Sequence, residues 1–167
     1  YRDAFTGGMP KFSFAGSDDL AAQIKAGAKP DVFAAANTKL PDELYAEGLV
    51  EKPVVFAGNR LVLAVPADSK IDDLGDLTGD DVDLAIGSDS VPIGSYTHKV
   101  LGRLPADEEQ AILANVRSEE PDVKGIVGKL TQGAVDAGFV YVTDVQATDG
   151  TLKAIELPSE LKPSASY

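Results

Sequence analysis

Apolar and polar positions alternate along the chain in a way that predicts helices and strands in turn. Residues 12–37 begin with a short apolar segment and a Gly-Ser turn, which an amphipathic helix and a second apolar strand over residues 31–36 follow. Apolar residues recur at helical spacing in this helix until Gly27 and Pro30 end it. The pattern predicts a strand, helix, strand unit with Gly16 and Ser17 at the helix N-terminus.

The rest of the chain continues the alternation of strand and helix signals. The predicted strands cover residues 60–65, 83–87, 137–142 and 152–157. The predicted helices cover residues 40–47 and 95–101, and a third begins at Pro121-Asp122. This order favours an α/β architecture with a largely parallel sheet.

The Gly-Ser turn before the first predicted helix has the chemistry of an anion site. The first N–H groups of a helix lack intrahelical acceptors, and the helix dipole favours negative charge beside them. Gly16, Ser17 and the amides of Asp18 and Asp19 would supply such donors. Taken alone, Ser17 is better explained as an ordinary N-cap. A small oxyanion is still the first ligand to consider.

Four blocks of sequence, in order, resemble the periplasmic molybdate-binding proteins, which are the substrate-binding components of molybdate ABC importers. The blocks are FSFAGSDDLAAQIKAGAKPDVFAAAN at residues 12–37, NRLVLAVP at 59–66, IGSDSVPIGSYTHKVL at 86–101 and EEPDVKGIVGKLTQGAVDAGFVYVTD at 119–144. The resemblance implies a two-lobed α/β fold of the type II periplasmic-binding-protein class. Residues 1–65 would form lobe I, residues 66–148 lobe II, and residues 149–167 the return to lobe I.

The resemblance also implies which groups hold the oxyanion. Ser17 would donate its hydroxyl and backbone amide, Ile93 and Val123 their backbone amides, and Tyr141 its hydroxyl. No side chain would contact the metal directly, and no cofactor is implied. From the residues alone, the side chains of Ile93 and Val123 are explained by core packing, and Tyr141 is better explained by a ring packed at a strand end.

A site of neutral N–H and O–H donors suits an oxyanion that is fully ionised at neutral pH. A rigid ring of donors fitted to molybdate would make long hydrogen bonds to the smaller sulfate, and each underused donor costs about 1–3 kcal/mol. Size therefore separates molybdate from sulfate. It does not separate molybdate from tungstate.

The ends of the chain depart from the family pattern. Residues 1–5 resemble the end of the helix that follows the family's first strand, so that strand and its anion-binding turn would lie before Tyr1. The closing elements of the first lobe would lie beyond Tyr167. Lobe I is therefore expected to be incomplete in this chain, and exposed sheet edges would favour self-association.

Composition narrows the function further. The net charge of -12 argues against a nucleic-acid partner, because phosphate binding needs clustered Lys and Arg. Cysteine is absent, which removes disulfides and thiolate metal sites, and no apolar run is long enough to span a bilayer. The acidic residues between 72 and 83 are expected to form a solvated loop. His98, the only histidine, is a poor candidate for catalysis.

The expected function is extracytoplasmic capture of molybdate or tungstate and delivery to the membrane permease subunits of an ABC importer, without chemistry. The protein would then act in the periplasm or at the cell surface, with any export signal upstream of Tyr1. Alternatives are a binding domain for sulfate or phosphate and the ligand-sensing domain of a transcriptional regulator. An enzyme is disfavoured because the chain has no GxSxG or Walker-type sequence.

Overall fold

The computed structural model describes residues 9–162 and 164–166. The helices are α1 (Ser17–Lys25), α2 (Lys39–Ala46), α3 (Pro92–Leu101), α4 (Ala106–Ala114), α5 (Val123–Thr131) and α6 (Val142–Gln146). The strands are β1 (Gly58–Pro66), β2 (Leu84–Gly87), β3 (Val116–Glu120), β4 (Ala137–Tyr141), β5 (Leu152–Glu156) and β6 (Ser164–Ser166). A short 3-10 helix covers Gly75–Thr78. The expectation for residues 1–5 lies outside the described residues.

The strands form one mixed sheet in the order β3-β2-β4-β1-β5, and β6 pairs with the start of β1. β2 runs parallel to β3 and β4, whereas β1 runs antiparallel to β4, β5 and β6. The prediction of a largely parallel sheet is therefore confirmed for β2, β3 and β4 and wrong for β1, which runs against every strand it pairs with. β1 ends at the edge of the sheet where β2 begins, so the connection between the two strands does not cross the sheet. Two strands can be parallel only if their connection crosses the sheet, so β1 and β2 run in opposite directions.

The core of the molecule surrounds the central strands. Leu61 to Val65 of β1 are buried, and so is the whole of β4, including Phe139. Leu101 of α3 and Ile126 of α5 pack against the same cluster. Strands buried on both faces read as continuous apolar runs, which is why these segments are recognisable in the sequence.

The predicted strand over residues 31–36 does not form. No residue from 9 to 57 lies in a strand, and Val32 is 81% exposed. Among the described residues no strand pairs with this segment, and the amide of Ala36 donates to the Ser17 hydroxyl instead. Helices α1 and α2 pack against each other through a separate small cluster of Ala21, Ile24 and Leu44.

The short apolar segment that begins at residue 12, predicted as the first strand of the same unit, does not form a strand either. The other predicted elements are confirmed with boundaries shifted by a few residues at most. The predicted end of the first helix is also confirmed, because α1 ends at Lys25 and Gly27 follows with φ +104°. Strands β3 and β6 and helices α4 and α6 were not predicted. Within the described ranges, no helix is both long and apolar enough to cross a membrane.

Candidate functional site

Three strand-to-helix turns meet at one edge of the sheet. In the parallel register Gly87 lies opposite Glu120, and Ala85 lies opposite Gly138, so β2, β3 and β4 end at the same edge. Helices α3, α5 and α6 follow these strand ends directly in the chain. Their first-turn amides and the positive ends of their dipoles are therefore brought to one side of the molecule.

The turn between β2 and α3 fixes the amide of Ile93. A Cβ atom at Gly87 would lie 2.6 Å from the Gly94 nitrogen. The end of β2 and the first turn of α3 are therefore in close backbone contact. The Ile93 side chain is buried in the core, as its apolar character predicts. Its amide is in the first turn of α3, whose N-cap is Val91 and whose first residue is Pro92.

Val123 is the first residue of α5. Asp122 caps this helix, because its carboxylate accepts a hydrogen bond of 3.0 Å from the Gly125 amide. The predicted helix start at Pro121-Asp122 is thus confirmed. The Val123 side chain packs against the core, which leaves its backbone amide as the group that could bind a ligand.

Tyr141 ends β4 and is 4% exposed. Its ring meets the ring of Tyr96 on α3 nearly at right angles, with centroids 6.5 Å apart. Its backbone amide donates to Asp144 at 3.1 Å. Burial raises the pKa of Asp144, although this hydrogen bond and the charge of Lys124 act in the opposite direction. Asp144 therefore gives up its proton less readily than an ordinary aspartate.

Ser17 is the first residue of α1, and Gly16 is the N-cap. The interpretation of Ser17 as an N-cap is therefore wrong. Its hydroxyl oxygen accepts from the Ala36 amide at 3.0 Å, which leaves the hydroxyl proton as a donor. A side chain at Gly16 would come within 3.2 Å of the Pro121 carbonyl oxygen. The start of α1 thus adjoins the start of α5.

The structure brings the four predicted residues to the same side of the molecule by two links. The turn of Ser17 lies against the turn that precedes Val123, and the ring of Tyr141 lies against the helix that begins beside Ile93. The four predicted residues offer backbone amides and hydroxyls there, and the charged side chains of Asp18, Lys124 and Asp144 lie close by. The amides and hydroxyls can bind an oxyanion without a titrating base.

Three neighbours of this region were not identified from the sequence. Tyr96 packs on Tyr141, Asp144 accepts from the Tyr141 amide, and Lys124 acts electrostatically on Asp144. Asp144 stands at the third position of α6, where an acidic residue typically caps a helix, so a capping pattern could have found it. No sequence pattern marks the other two.

The acidic residues between 72 and 83 stabilise their own loop. One carboxylate oxygen of Asp76 accepts from the amides of Asp72 and Asp73, and an Asp73 oxygen accepts from the amides of Gly75 and Asp76. Among the described residues, no cluster of three or more acidic or histidine side chains has the arrangement of a metal site. His98 pairs with Asp89, with 2.6 Å between Nε2 and the carboxylate oxygen.

Comparison with known proteins identifies the family. Residues 4–167 match the model of the family described as bacterial extracellular solute-binding protein. The chain is 34% identical over 163 residues to the molybdate-binding protein ModA of Mycobacterium tuberculosis, covering 93% of this chain and 60% of that protein. The chain thus spans about 60% of the length of this curated relative.

Solved structures agree in fold. The substrate-binding domain of a putative molybdenum ABC transporter from Clostridium difficile is 28% identical with a TM-score of 0.66, over 99% of this chain and 73% of that one. The sulfate-binding protein SubI of Mycobacterium tuberculosis is 16% identical with a TM-score of 0.82, over 99% and 66%. The α/β fold is that of the periplasmic binding proteins, and the chain belongs to the bacterial extracellular solute-binding protein family.

Proposed function

We propose that this chain binds molybdate or tungstate outside the cytoplasmic membrane and delivers it to the permease subunits of an ABC importer. The observation that carries the proposal is the meeting of three strand-to-helix turns at one sheet edge, with the start of α1 against one of them. A relative named as a molybdate-binding protein and a solved domain of a putative molybdenum ABC transporter support the choice of ligand. No chemical step is part of this function.

The oxyanion is held by neutral donors from four segments. Ser17 donates its hydroxyl and amide, Ile93 and Val123 donate their amides, and Tyr141 donates its hydroxyl. The amides belong to first turns of helices, which have no intrahelical acceptor. No protein atom coordinates the metal, because the oxygens of the anion lie between it and the protein.

The donors work although the chain is acidic. Surface carboxylates are screened over about 8–10 Å in physiological salt, whereas the donors contact the anion directly. Neutral donors also avoid burying a lysine or arginine beside the ligand. Affinity therefore depends on the local geometry of the turns more than on the net charge of -12.

Closure of two lobes over the ligand completes the proposal. Ser17 belongs to lobe I (residues 1–65), and Ile93, Val123 and Tyr141 belong to lobe II (residues 66–148), with residues 149–167 returning to lobe I. An anion that bridges both lobes binds the closed arrangement more tightly and so shifts the equilibrium toward it.

Location and partners follow from the transport role. The protein acts in the periplasm or at the cell surface, where it meets the permease subunits. Self-association is a further part of the proposal, since Val54, Val55 and Phe56 form an exposed apolar run.

The proposal is tested by calorimetric titration of the protein with molybdate, tungstate, sulfate and phosphate. We expect heat of binding from molybdate and tungstate only, because the smaller oxyanions would leave donors underused at about 1–3 kcal/mol each. Equal affinity for sulfate would contradict the size argument and favour the alternative of a general oxyanion-binding domain. If none of the four anions gives heat of binding, the proposed function is contradicted.

A further inference from the structure

An exposed lysine and an exposed phenylalanine from distant parts of the chain meet beside the candidate site. The ammonium group of Lys124 lies 5.5 Å from the centroid of the Phe14 ring. Phe14 is 78% exposed, so burial in a core does not explain its position. A cation at this distance over a ring is attracted by the electron density of its face.

The two partners stand next to proposed ligand groups. Lys124 directly follows Val123 in the first turn of α5, and Phe14 precedes Ser17 by three residues. The backbones of the same two segments also approach each other at Gly16 and Pro121. The contact therefore joins the segment that carries Ser17 to the segment that carries Val123.

Neighbouring groups act on both partners. The Phe12 ring stacks on Phe14, with centroids 5.7 Å apart and planes 11° from parallel. The charge of Lys124 also acts to lower the pKa of Asp144 at the start of α6, against the larger effect of burial. The Phe14 ring thus has a stacked neighbour, and Lys124 is near enough to the start of α6 to act on its carboxyl group.

We propose that the contact of Lys124 with Phe14 is a latch across the ligand cleft, which stabilises the closed arrangement around the bound anion. This inference rests on the proposed function, because it takes Phe14 in lobe I and Lys124 in lobe II. An interaction made only when the lobes are closed raises affinity without touching the ligand, and it does so by slowing dissociation.

A double-mutant cycle on molybdate binding tests the latch. The variants are Phe14→Leu, Lys124→Met and the double variant, and circular dichroism checks that each is folded. We expect each single change to weaken binding about two- to fivefold through faster dissociation, and the double variant to be no weaker than the single ones.

A second cation–aromatic pair provides the matched control. Lys99 lies 5.4 Å from the ring centroid of Tyr96, and both residues belong to α3. Because this pair does not cross the proposed cleft, Lys99→Met should leave the dissociation rate of molybdate unchanged.

The outcomes separate the latch from the proposed function. Unchanged affinity in the variants, or losses that simply add in the double variant, would overturn the latch while the wild-type protein still binds molybdate. An effect of Lys99→Met equal to that of Lys124→Met would overturn it as well. A folded wild-type protein that does not bind molybdate would overturn both proposals.

Discussion

Replacing Gly94 by alanine should destabilise the protein by about 3 kcal/mol and abolish measurable anion binding. A methyl group at this position would overlap the carbonyl oxygen of Ser88 and lie 2.5 Å from that of Gly87. These are backbone atoms, so the first turn of α3 must move away from β2. The amide of Ile93 would move with it. Chemical denaturation and molybdate titration measure the two effects.

Gly128→Ala is the matched control for Gly94→Ala. Gly128 lies inside α5, and no atom lies within 4 Å of where its side chain would begin. Inside a helix, alanine is more favourable than glycine by about 1 kcal/mol, so this variant should be at least as stable as the wild type. Full binding by the Gly94→Ala protein would contradict the role assigned to the β2–α3 turn.

Replacing Ser17 by alanine should weaken molybdate binding by about 1–3 kcal/mol, or roughly 5- to 150-fold. The change removes a hydroxyl that donates to a charged ligand. It also removes the acceptor of the Ala36 amide, so a modest loss of thermal stability should accompany it. Titration calorimetry measures the first effect, and thermal melting without ligand measures the second.

Ser13→Ala is the control for this change, because Ser13 is an exposed serine in the same segment. It should alter neither affinity nor melting temperature. If the Ser17→Ala protein melts at a lower temperature but keeps full affinity, Ser17 serves only to hold the segment around Ala36.

Much of the sheet was predictable because its strands are buried on both faces. The predicted strand at residues 60–65 lies within Gly58–Pro66, and that at 137–142 differs by one residue from Ala137–Tyr141. Helix starts marked by proline or aspartate were also found to within a few residues, as at Pro92 and Asp122. Local chemistry determines these features.

The errors concern pairing, which local patterns do not determine. Residues 31–36 have the apolar character of a strand, but no described strand pairs with them. β3 was missed because its sequence, VRSEE, is largely polar and only its alternate residues are partly buried. The antiparallel direction of β1 depends on a connection to β2 that does not cross the sheet and contains only a short 3-10 helix, which an alternation of strand and helix signals does not reveal.

The candidate site was predictable only in part for a similar reason. Every residue type except proline has a backbone amide, so the sequence does not show which amides bind a ligand. The assignment of Ile93 and Val123 rests on the family resemblance and stays a prediction. The structure adds that their turns share a sheet edge. Lys124 was missed because its contact with Phe14 joins residues that are distant in the sequence. Asp144 was missed because its hydrogen bond to the Tyr141 amide depends on a helix start that was not predicted there.

The most direct test of this account is a crystal structure with molybdate, in which anomalous scattering locates the molybdenum atom. We expect one strong peak between the starts of α1, α3 and α5, with anion oxygens within about 3 Å of the Ser17 and Tyr141 hydroxyls and the Ile93 and Val123 amides. A peak elsewhere on the molecule, or none at saturating molybdate, would contradict the account.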